Sequence, residues 1–284
     1  MSGSFTEHIV AFGRRQSLVG ILSRPARPLP DAPAIVILNT GIVHRVGHHR
    51  MYVLMARQLA AAGHPVLRFD FSGIGDSSQR VGHLSPVNSC LADIAEVLDS
   101  LETHHQVKRV VLVGLCSGAD HAVLYARRDP RVVGLVLINP TIPPTARYYY
   151  HYIAQRLLRL RNWISIATLR SGLLRRLLTH VRHGVLPQKQ PDTLTLDGLE
   201  YSPYLEQSYR EAVRRGVKMF GVFSALSPRA TYRQQMHDAF RDVEFGDSLR
   251  LEFFPESDHL FTPGKERARL RAVIKDWLAG LSPT

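Results

Sequence analysis

A cysteine and a serine stand side by side at the end of an apolar segment, in the sequence VVLVGLCSGAD of residues 110–120. Both residue types can act as nucleophiles. A sharp turn from a strand into a helix presents such a residue when glycines lie two positions on either side of it, because larger side chains do not fit there. Gly114 and Gly118 have this spacing around Cys116 but not around Ser117. The spacing therefore predicts Cys116 as the nucleophile.

A nucleophilic thiol needs a base and donors that stabilise an oxyanion. His259 directly follows the last predicted strand, in LEFFPESDHLF, and is the predicted base. The backbone N–H groups of Ser117 and of Ile42 are predicted to form the oxyanion hole. Ile42 lies in the loop after the first parallel strand, and Ser117 is expected to use only its N–H, not its hydroxyl. Such a set would attack an ester or thioester carbonyl and leave an acyl-cysteine.

The elements that must position these residues alternate between strands and helices. An N-terminal hairpin is followed by short apolar strands, predicted at residues 34–39, 65–70, 109–114, 132–140, 217–225 and 249–255. Continuous apolar strands separated by helices are typical of a parallel sheet that is covered on both faces. The chain is therefore predicted to be α/β, with a doubly wound, mostly parallel sheet whose ligands bind at the carboxyl ends of the strands.

A basic segment interrupts this core. Residues 1–140 and 216–284 are predicted to form the core domain, and residues 141–215 a helical lid. The segment 141–191 has nine Lys and Arg residues and no Asp or Glu, against a net charge of +12 for the chain. Its apolar residues recur with helical spacing, so amphipathic helices are expected. The basic face is either simply solvated or a docking surface for coenzyme A, an acyl carrier or an anionic membrane. Nucleic acid is not predicted, because no recognition motif accompanies the charge.

A second group of basic residues is expected at the mouth of the site. Arg45, His48 and Arg50 stand near the start of a predicted helix, where a carboxylate or phosphate of the substrate would bind. Metal binding by His44, His48 and His49 is less favoured, because no carboxylate or cysteine completes the set. We predict no metal and no cofactor.

Composition indicates the cellular compartment of the protein. No apolar run approaches the roughly 20 residues that span a bilayer, and the N-terminus lacks the apolar core of a signal peptide. The two cysteines, Cys90 and Cys116, fall in different predicted elements. A reducing compartment is therefore the simplest assumption, and a cytoplasmic protein is expected.

Several motifs together resemble a known family. They are HRVGHHR after the first parallel strand, MARQLAAAGHPVLRFD, GIGDS, GLCSGAD, LINP and DHLF. The chain resembles the α/β-hydrolase superfamily and, within it, the serine-aminopeptidase-like hydrolases associated with bacterial exosortase systems. The resemblance implies the hydrolase fold, Cys116 as nucleophile and His259 as base. It says little about the substrate, because the fold supports many reactions.

The chain departs from the family pattern at the acid. After the strand MFGVF, the position expected to hold a carboxylate is Ser227. Asn139, Asp258 and Asp120 are the alternative partners for His259. Asn139 is attractive because a Cys-His-Asn set is chemically competent, whereas Asp258, next to the histidine in sequence, fits a loop cap better.

Three functions follow from these residues. Hydrolysis of an ester or thioester through an acyl-cysteine ranks first. Transfer of the acyl group to an amine, thiol or alcohol ranks second, because water competes poorly for a thioester. A non-catalytic scaffold with the hydrolase fold is third, and the missing acid is what suggests it.

Overall fold

The computed structural model describes residues 5–13, 16–145, 147–148, 195–196, 199–227 and 232–281. The strands are β1 (Phe5–Phe12), β2 (Leu18–Pro25), β3 (Ala34–Ile37), β4 (Val66–Phe69), β5 (Val110–Leu115), β6 (Val132–Ile138), β7 (Thr195–Leu196), β8 (Leu199–Glu200), β9 (Lys218–Ser224) and β10 (Leu249–Phe254). The α-helices are α1 (Met51–Ala61), α2 (Pro86–His105), α3 (Ser117–Ala126), α4 (Tyr201–Arg214), α5 (Gln235–Ala239) and α6 (Gly264–Ala279).

Eight strands form one sheet in the order β1-β2-β4-β3-β5-β6-β9-β10. The pairs from β4 to β10 in this order are parallel, whereas β2 pairs antiparallel with both β1 and β4. The N-terminal hairpin and the mostly parallel sheet are thus confirmed. Strand β5, which leads to Cys116, lies near the centre of this order between β3 and β6. Because the three strands are parallel, the loops that follow β3 and β6 lie at the same edge of the sheet as Cys116.

The apolar run of β5 explains why it is central. All of its residues are buried, because helices cover both faces of the sheet. Val110 and Leu112 pack in the cluster that includes residues of α2, α3 and α4. Val111 and Val113 point the other way, into the cluster that includes residues of α1 and α6. Successive side chains of a strand alternate between faces, so a strand buried on both sides must be apolar at every position.

The predicted lid falls largely outside the described residues, but one helix of the predicted range 141–215 is described. Helix α4 packs against α3, and Leu205, Tyr209 and Ala212 on it are fully buried in the core. This helix therefore packs with the core, and the predicted boundary at residue 216 stays a prediction.

None of the described helices combines the length and the apolar character that a membrane crossing requires.

Candidate active site

Cys116 lies at the junction between β5 and α3. Its backbone has a φ of 55° and a ψ of −123°, a region that residues with a side chain rarely adopt. The turn is held by the N–H of Cys116, which donates to the carbonyl of Ile138 at 2.8 Å, and by its carbonyl, which accepts from the N–H of Ala119 at 3.0 Å. Strained backbone of this kind is found at functional sites, where the surrounding structure enforces it.

The two glycines around Cys116 are required by close backbone contacts. A Cβ atom on Gly114 would lie 2.2 Å from the carbonyl carbon of Gly118, and a Cβ on Gly118 would lie 2.5 Å from the carbonyl oxygen of Asn39. Neither position accepts a side chain. The predicted register, with Cys116 rather than Ser117 at the apex of the turn, agrees with this geometry.

The loop after β3 is tied to this turn by two side chains. The backbone N–H of Gly41 donates to the hydroxyl of Ser117 at 2.8 Å. The hydroxyl of Thr40 donates to the carbonyl of Leu115 at 3.0 Å and is 2.5 Å from the hydroxyl of Tyr52. Because the Thr40 proton goes to Leu115, the Tyr52 hydroxyl is the donor to Thr40. The Ser117 hydroxyl thus has a structural contact that the sequence did not predict, whereas the expectation that the reaction uses only the Ser117 N–H stays a prediction.

The predicted oxyanion donors lie on these two tied segments. Ile42 occupies a tight turn in which the N–H of Val43 donates to the carbonyl of Thr40 at 2.9 Å. Among the described residues, no acceptor is bonded to the N–H of Ile42 or to that of Ser117. Their use as an oxyanion hole stays a prediction.

Tyr52 packs beneath the turn and remains neutral. Its side chain is buried, and burial raises the pKa of the phenol well above its ordinary value. The hydrogen bond between the hydroxyls of Tyr52 and Thr40 opposes this shift, and a negative charge on Cys116 would add to it. The phenol therefore acts at neutral pH as a hydrogen-bond donor to Thr40.

His259 lies in the loop after β10, where Ser227 and Asn139 both contact it. The hydroxyl of Ser227 lies 3.0 Å from Nδ1 of the imidazole. The side-chain amide of Asn139 instead donates to the backbone carbonyl of His259 at 2.9 Å. The Asn139 carbonyl oxygen accepts from the N–H of Ser224 at 2.9 Å. Asn139 thus joins the end of β9 to the histidine loop and positions His259 through its backbone, not through its ring.

The two aspartates considered as partners of His259 hydrogen-bond elsewhere. The Asp258 carboxylate accepts from the N–H groups of Leu260 and Thr262, at 3.1 and 2.9 Å. Partial burial acts to raise the pKa of Asp258, but these bonds and the nearby charge of His49 outweigh it and lower that pKa. The Asp258 carboxylate therefore caps the histidine loop.

Asp120, the second of these aspartates, is buried at the start of α3. Its carboxylate accepts from the backbone N–H of Thr141 at 2.8 Å and from the Thr141 hydroxyl at 2.7 Å. Asp120 therefore anchors the segment that follows β6.

The sequence of the chain matches one family profile, described as hydrolase 4, serine aminopeptidase S33, over residues 31–198. That range is more than half of the 284 residues. This chain belongs to the serine aminopeptidase S33 family. The S33 match spans the oxyanion loop and the turn around Cys116, so this family member has a cysteine at the apex in a family that is named for serine. No similar sequence is found among curated proteins.

Solved structures with the same fold include three hydrolases. An esterase from Pyrococcus furiosus has a TM-score of 0.61 at 13% identity, over 97% of this chain and 91% of its own. A serine hydrolase without a lid from Xanthomonas campestris has a TM-score of 0.57 at 14% identity, over 98% and 96%. An α/β serine hydrolase homologue from Coxiella burnetii has a TM-score of 0.59 at 13% identity, over 96% and 97%. At these identities the likeness establishes the α/β-hydrolase fold of this S33 chain.

Of the basic residues expected at the mouth of the S33 site, Arg45 is used within the protein. Its guanidinium forms ion pairs with Asp70, which is fully buried, and with Asp76. The backbone N–H of Arg45 also donates to Asp70, at 2.6 Å. Arg45 therefore holds the oxyanion loop against the loop after β4, and the prediction that it binds substrate is not supported by these contacts.

His48 and Arg50 remain at the surface before α1. Arg50 is exposed, and both His49 and Arg50 have positive φ angles, 51° and 58°. Burial lowers the pKa of His48, and the charge of His49 lowers it further. His48 is thus neutral near pH 7, which leaves Arg50 as the permanent cation of the predicted anion site. Within the described part of the chain, no group of three His, Cys, Asp or Glu side chains is arranged to hold a metal ion.

Sequence reasoning missed the hydroxyl network of Thr40, Tyr52 and Ser117. The three residues lie in different elements, and Thr40 and Leu115 are 75 positions apart in the chain. A buried tyrosine in an amphipathic helix looks like an ordinary core residue. One signal was present, because Thr40 stands where the hydrolase fold often has a histidine before the glycine of the oxyanion loop.

Proposed function

We propose that this hydrolase-family chain cleaves an ester or thioester through an acyl-cysteine on Cys116. The observation that carries the proposal is the glycine-flanked turn, in which Cys116 has a φ of 55° directly after β5. A turn of this kind presents the side chain at its apex to a substrate at the carboxyl edge of the sheet. A thiol is already a strong nucleophile once it is ionised, and a neighbouring imidazole ionises it.

Each residue of the proposed site has its own role in the reaction. The Cys116 thiolate attacks the carbonyl carbon, and the N–H groups of Ile42 and Ser117 bind the oxyanion. His259 gives its proton to the leaving alcohol or thiol as the bond to that group breaks. For hydrolysis, His259 then takes a proton from water, the new C–O bond forms, and the C–S bond to Cys116 breaks as the proton returns to sulfur.

Acyl transfer is the alternative activity at the same site. An acyl-cysteine is itself a thioester, so amines, thiols and activated alcohols can replace water as the acceptor. A non-catalytic scaffold is the further alternative. It is disfavoured by the strained backbone of Cys116, since such strain has no evident use in a turn that carries no reactive group.

We further propose a small acyl substrate that is attached to coenzyme A or to an acyl carrier. The support is the charge distribution, because the segment 141–191 is basic and both carriers are anionic. Contact of this segment with an anionic membrane surface is the second use that its charge fits. A reduced nucleophile also requires a reducing compartment, and we place the activity in the cytoplasm. We also propose that this chain is associated with a bacterial exosortase system, and this proposal rests on the motif resemblance alone.

Incubation with p-nitrophenyl acetate, followed by intact-mass measurement and peptide mapping, tests the nucleophile. We expect an added acetyl group on Cys116 and a burst of nitrophenolate. Cys116→Ala should abolish both and lower turnover by about 10⁴-fold or more, as loss of a nucleophile does. Cys90→Ala is the matched control, because burial and the neighbouring Asp93 raise the pKa of the Cys90 thiol to about 12. Acetyl coenzyme A should acylate faster than the neutral ester at low salt.

Two results would contradict the proposal. Full turnover by Cys116→Ala would show that another residue is the nucleophile. Equal and slow alkylation of Cys90 and Cys116 by iodoacetamide, with no acyl-enzyme, would instead favour the scaffold.

A further inference from the structure

The hydroxyl of Ser227 stands at the ring of His259, with Oγ 3.0 Å from Nδ1. The two residues come together because β9 and β10 are paired neighbours, in the register Ser224 with Phe254. Two backbone bonds fix the loops that follow these strands. The N–H of Leu226 donates to the carbonyl of Ser257 at 3.1 Å, and the N–H of Ser227 donates to the carbonyl of Ser224 at 3.1 Å.

The Ser227 side chain is also held in place by burial. Its exposed fraction is 3%, so the hydroxyl is not a surface group that can turn freely into water. Of the four side chains considered as partners of His259, Ser227 reaches the imidazole ring. The bonds of Asn139 go to the His259 carbonyl and to Ser224, and those of Asp258 and Asp120 go to other groups.

A hydroxyl can do one of the two tasks that a carboxylate performs at this position. To accept a proton at Nε2, His259 must carry its other proton on Nδ1, and the Ser227 oxygen can accept that N–H. The hydroxyl thus fixes the tautomer and the orientation of the ring. It has no negative charge, however, and so gives little stabilisation to the imidazolium that forms when His259 takes a proton.

Acylation and deacylation, the two half-reactions of the proposed function, differ in how much they need the imidazolium of His259 to be stabilised. In the proposed acylation step a Cys116 thiolate would itself stabilise the protonated His259, which only gives its proton to the leaving group. Deacylation by water requires His259 to remove a proton from a weak acid, which generates the imidazolium again. An acceptor that is a better nucleophile than water depends less on this step.

We propose that Ser227 is the positioning residue of His259, and that its neutral hydroxyl makes the acyl-cysteine slow towards water and open to a thiol acceptor. This inference rests on the proposed function. In the transfer step the acceptor thiol gives its proton to His259, its sulfur forms a bond to the acyl carbon, the bond from that carbon to Cys116 breaks, and the proton returns to the Cys116 sulfur. No oxidant or further reactant is needed.

Acyl-enzyme kinetics with p-nitrophenyl acetate, with and without N-acetylcysteamine as acceptor, measure both half-reactions. In the unmodified protein we expect a fast burst, slow hydrolysis, and at least a tenfold faster deacylation by the thiol. Ser227→Ala should slow acylation and both deacylations by about 10- to 100-fold. Ser227→Thr keeps the hydroxyl and should restore them to within about threefold. Ser227→Asp should speed hydrolysis at least tenfold while leaving thiol transfer nearly unchanged.

The tautomer of His259 gives a readout that does not depend on turnover. Nitrogen-15 NMR of the imidazole, assigned by loss of the signal in His259→Ala, distinguishes a proton on Nδ1 from one on Nε2. The measurement is made in Cys116→Ala, where no thiolate can hold the ring in its doubly protonated form. We expect the Nδ1–H form in Cys116→Ala and when Ser227→Thr is added to it, and a mixture when Ser227→Ala is added instead.

The outcomes separate this inference from the function on which it rests. If Cys116 is never acylated but the tautomer changes as expected, the proposed function fails and the positioning role stands. If Cys116 is acylated and Ser227→Ala changes neither the kinetics nor the tautomer, Ser227 does not position His259. If Ser227→Asp leaves the ratio of thiolysis to hydrolysis unchanged, the argument from the missing charge is overturned.

Discussion

The hydroxyl of Ser117 links the nucleophile turn to the oxyanion loop through its bond to the Gly41 N–H. Thr40 makes the second link, to the carbonyl of Leu115. An oxyanion hole works only if its donors are held before the charge develops, because reorganising them during the reaction would cost free energy. If the N–H groups of Ile42 and Ser117 form the proposed oxyanion hole, we expect these two side chains to contribute by fixing the distance between them.

Replacement of Ser117 by alanine tests this role. Loss of one hydrogen bond near the surface costs about 1 kcal/mol, so Ser117→Ala should slow acylation of Cys116 by roughly fivefold. Ser117→Thr keeps the hydroxyl and should lose less. Ser100→Ala, at a half-buried serine whose hydroxyl contacts His104 within the same helix α2, controls for the substitution itself. An acylation rate for Ser117→Ala that equals the unmodified rate would mean that only the backbone of Ser117 is used.

At the scale of elements, β5, α3 and the residues that follow β3 fix the turn at Cys116, because their backbones lie in close contact there. Their backbones approach so closely that hydrogen atoms are the only substituents that fit at Gly114 and Gly118. Such contacts explain why the glycine spacing indicates the register of the turn around Cys116 without tertiary information. The role of Cys116 as nucleophile stays a prediction.

Gly118→Ala tests the packing of the turn. The added methyl group would meet the carbonyl oxygen of Asn39, which belongs to the backbone and has little room to move. We expect a loss of about 3 kcal/mol or more in the free energy of unfolding, at the upper end of overpacking effects, and loss of acylation. Gly264→Ala is the matched control, because its nearest neighbour is the guanidinium of Arg267 at 3.8 Å. Urea unfolding followed by circular dichroism distinguishes the two. Equal stabilities would contradict the close-packed turn.

At the scale of the whole molecule, the site depends on contacts that span the sequence. Ser227 and His259 are 32 residues apart, Asn139 and His259 are 120 apart, and Arg45 and Asp70 are 25 apart. The predicted order of strands and helices placed the histidine loop and the nucleophile on one edge of the sheet. It could not tell which of four polar side chains turns towards the imidazole, because that choice depends on loop geometry and on competing bonds. The ion pairs of Arg45 with Asp70 and Asp76 could not be predicted for the same reason.

A second consequence of the fold is the position of His121 on α3, whose side chain is mostly enclosed, with its Nδ1 atom fully buried. Its ring packs edge-on against Phe71, with centroids 5.7 Å apart, and within the described residues its buried Nδ1 has no hydrogen-bond partner. Burial lowers the pKa of His121 to about 4, from an ordinary value of 6.5. Between these two values the unfolded chain binds a proton that the folded protein excludes, so the free energy of unfolding must fall as the pH falls.

His121→Leu should remove this part of the pH dependence. A shift of this size corresponds to about 3 kcal/mol, lost progressively between roughly pH 7 and pH 4. Urea unfolding at pH 7.5 and pH 4.5 should therefore show a smaller difference for His121→Leu than for the unmodified protein, with equal or higher stability at pH 7.5, since leucine leaves no unpaired nitrogen in the core. His8→Leu, at an exposed histidine of β1, controls for the loss of a histidine that water reaches in both states. If the two variants show the same pH dependence, His121 is solvated in the folded protein, and the packing of α3 against Phe71 is looser than its contacts indicate.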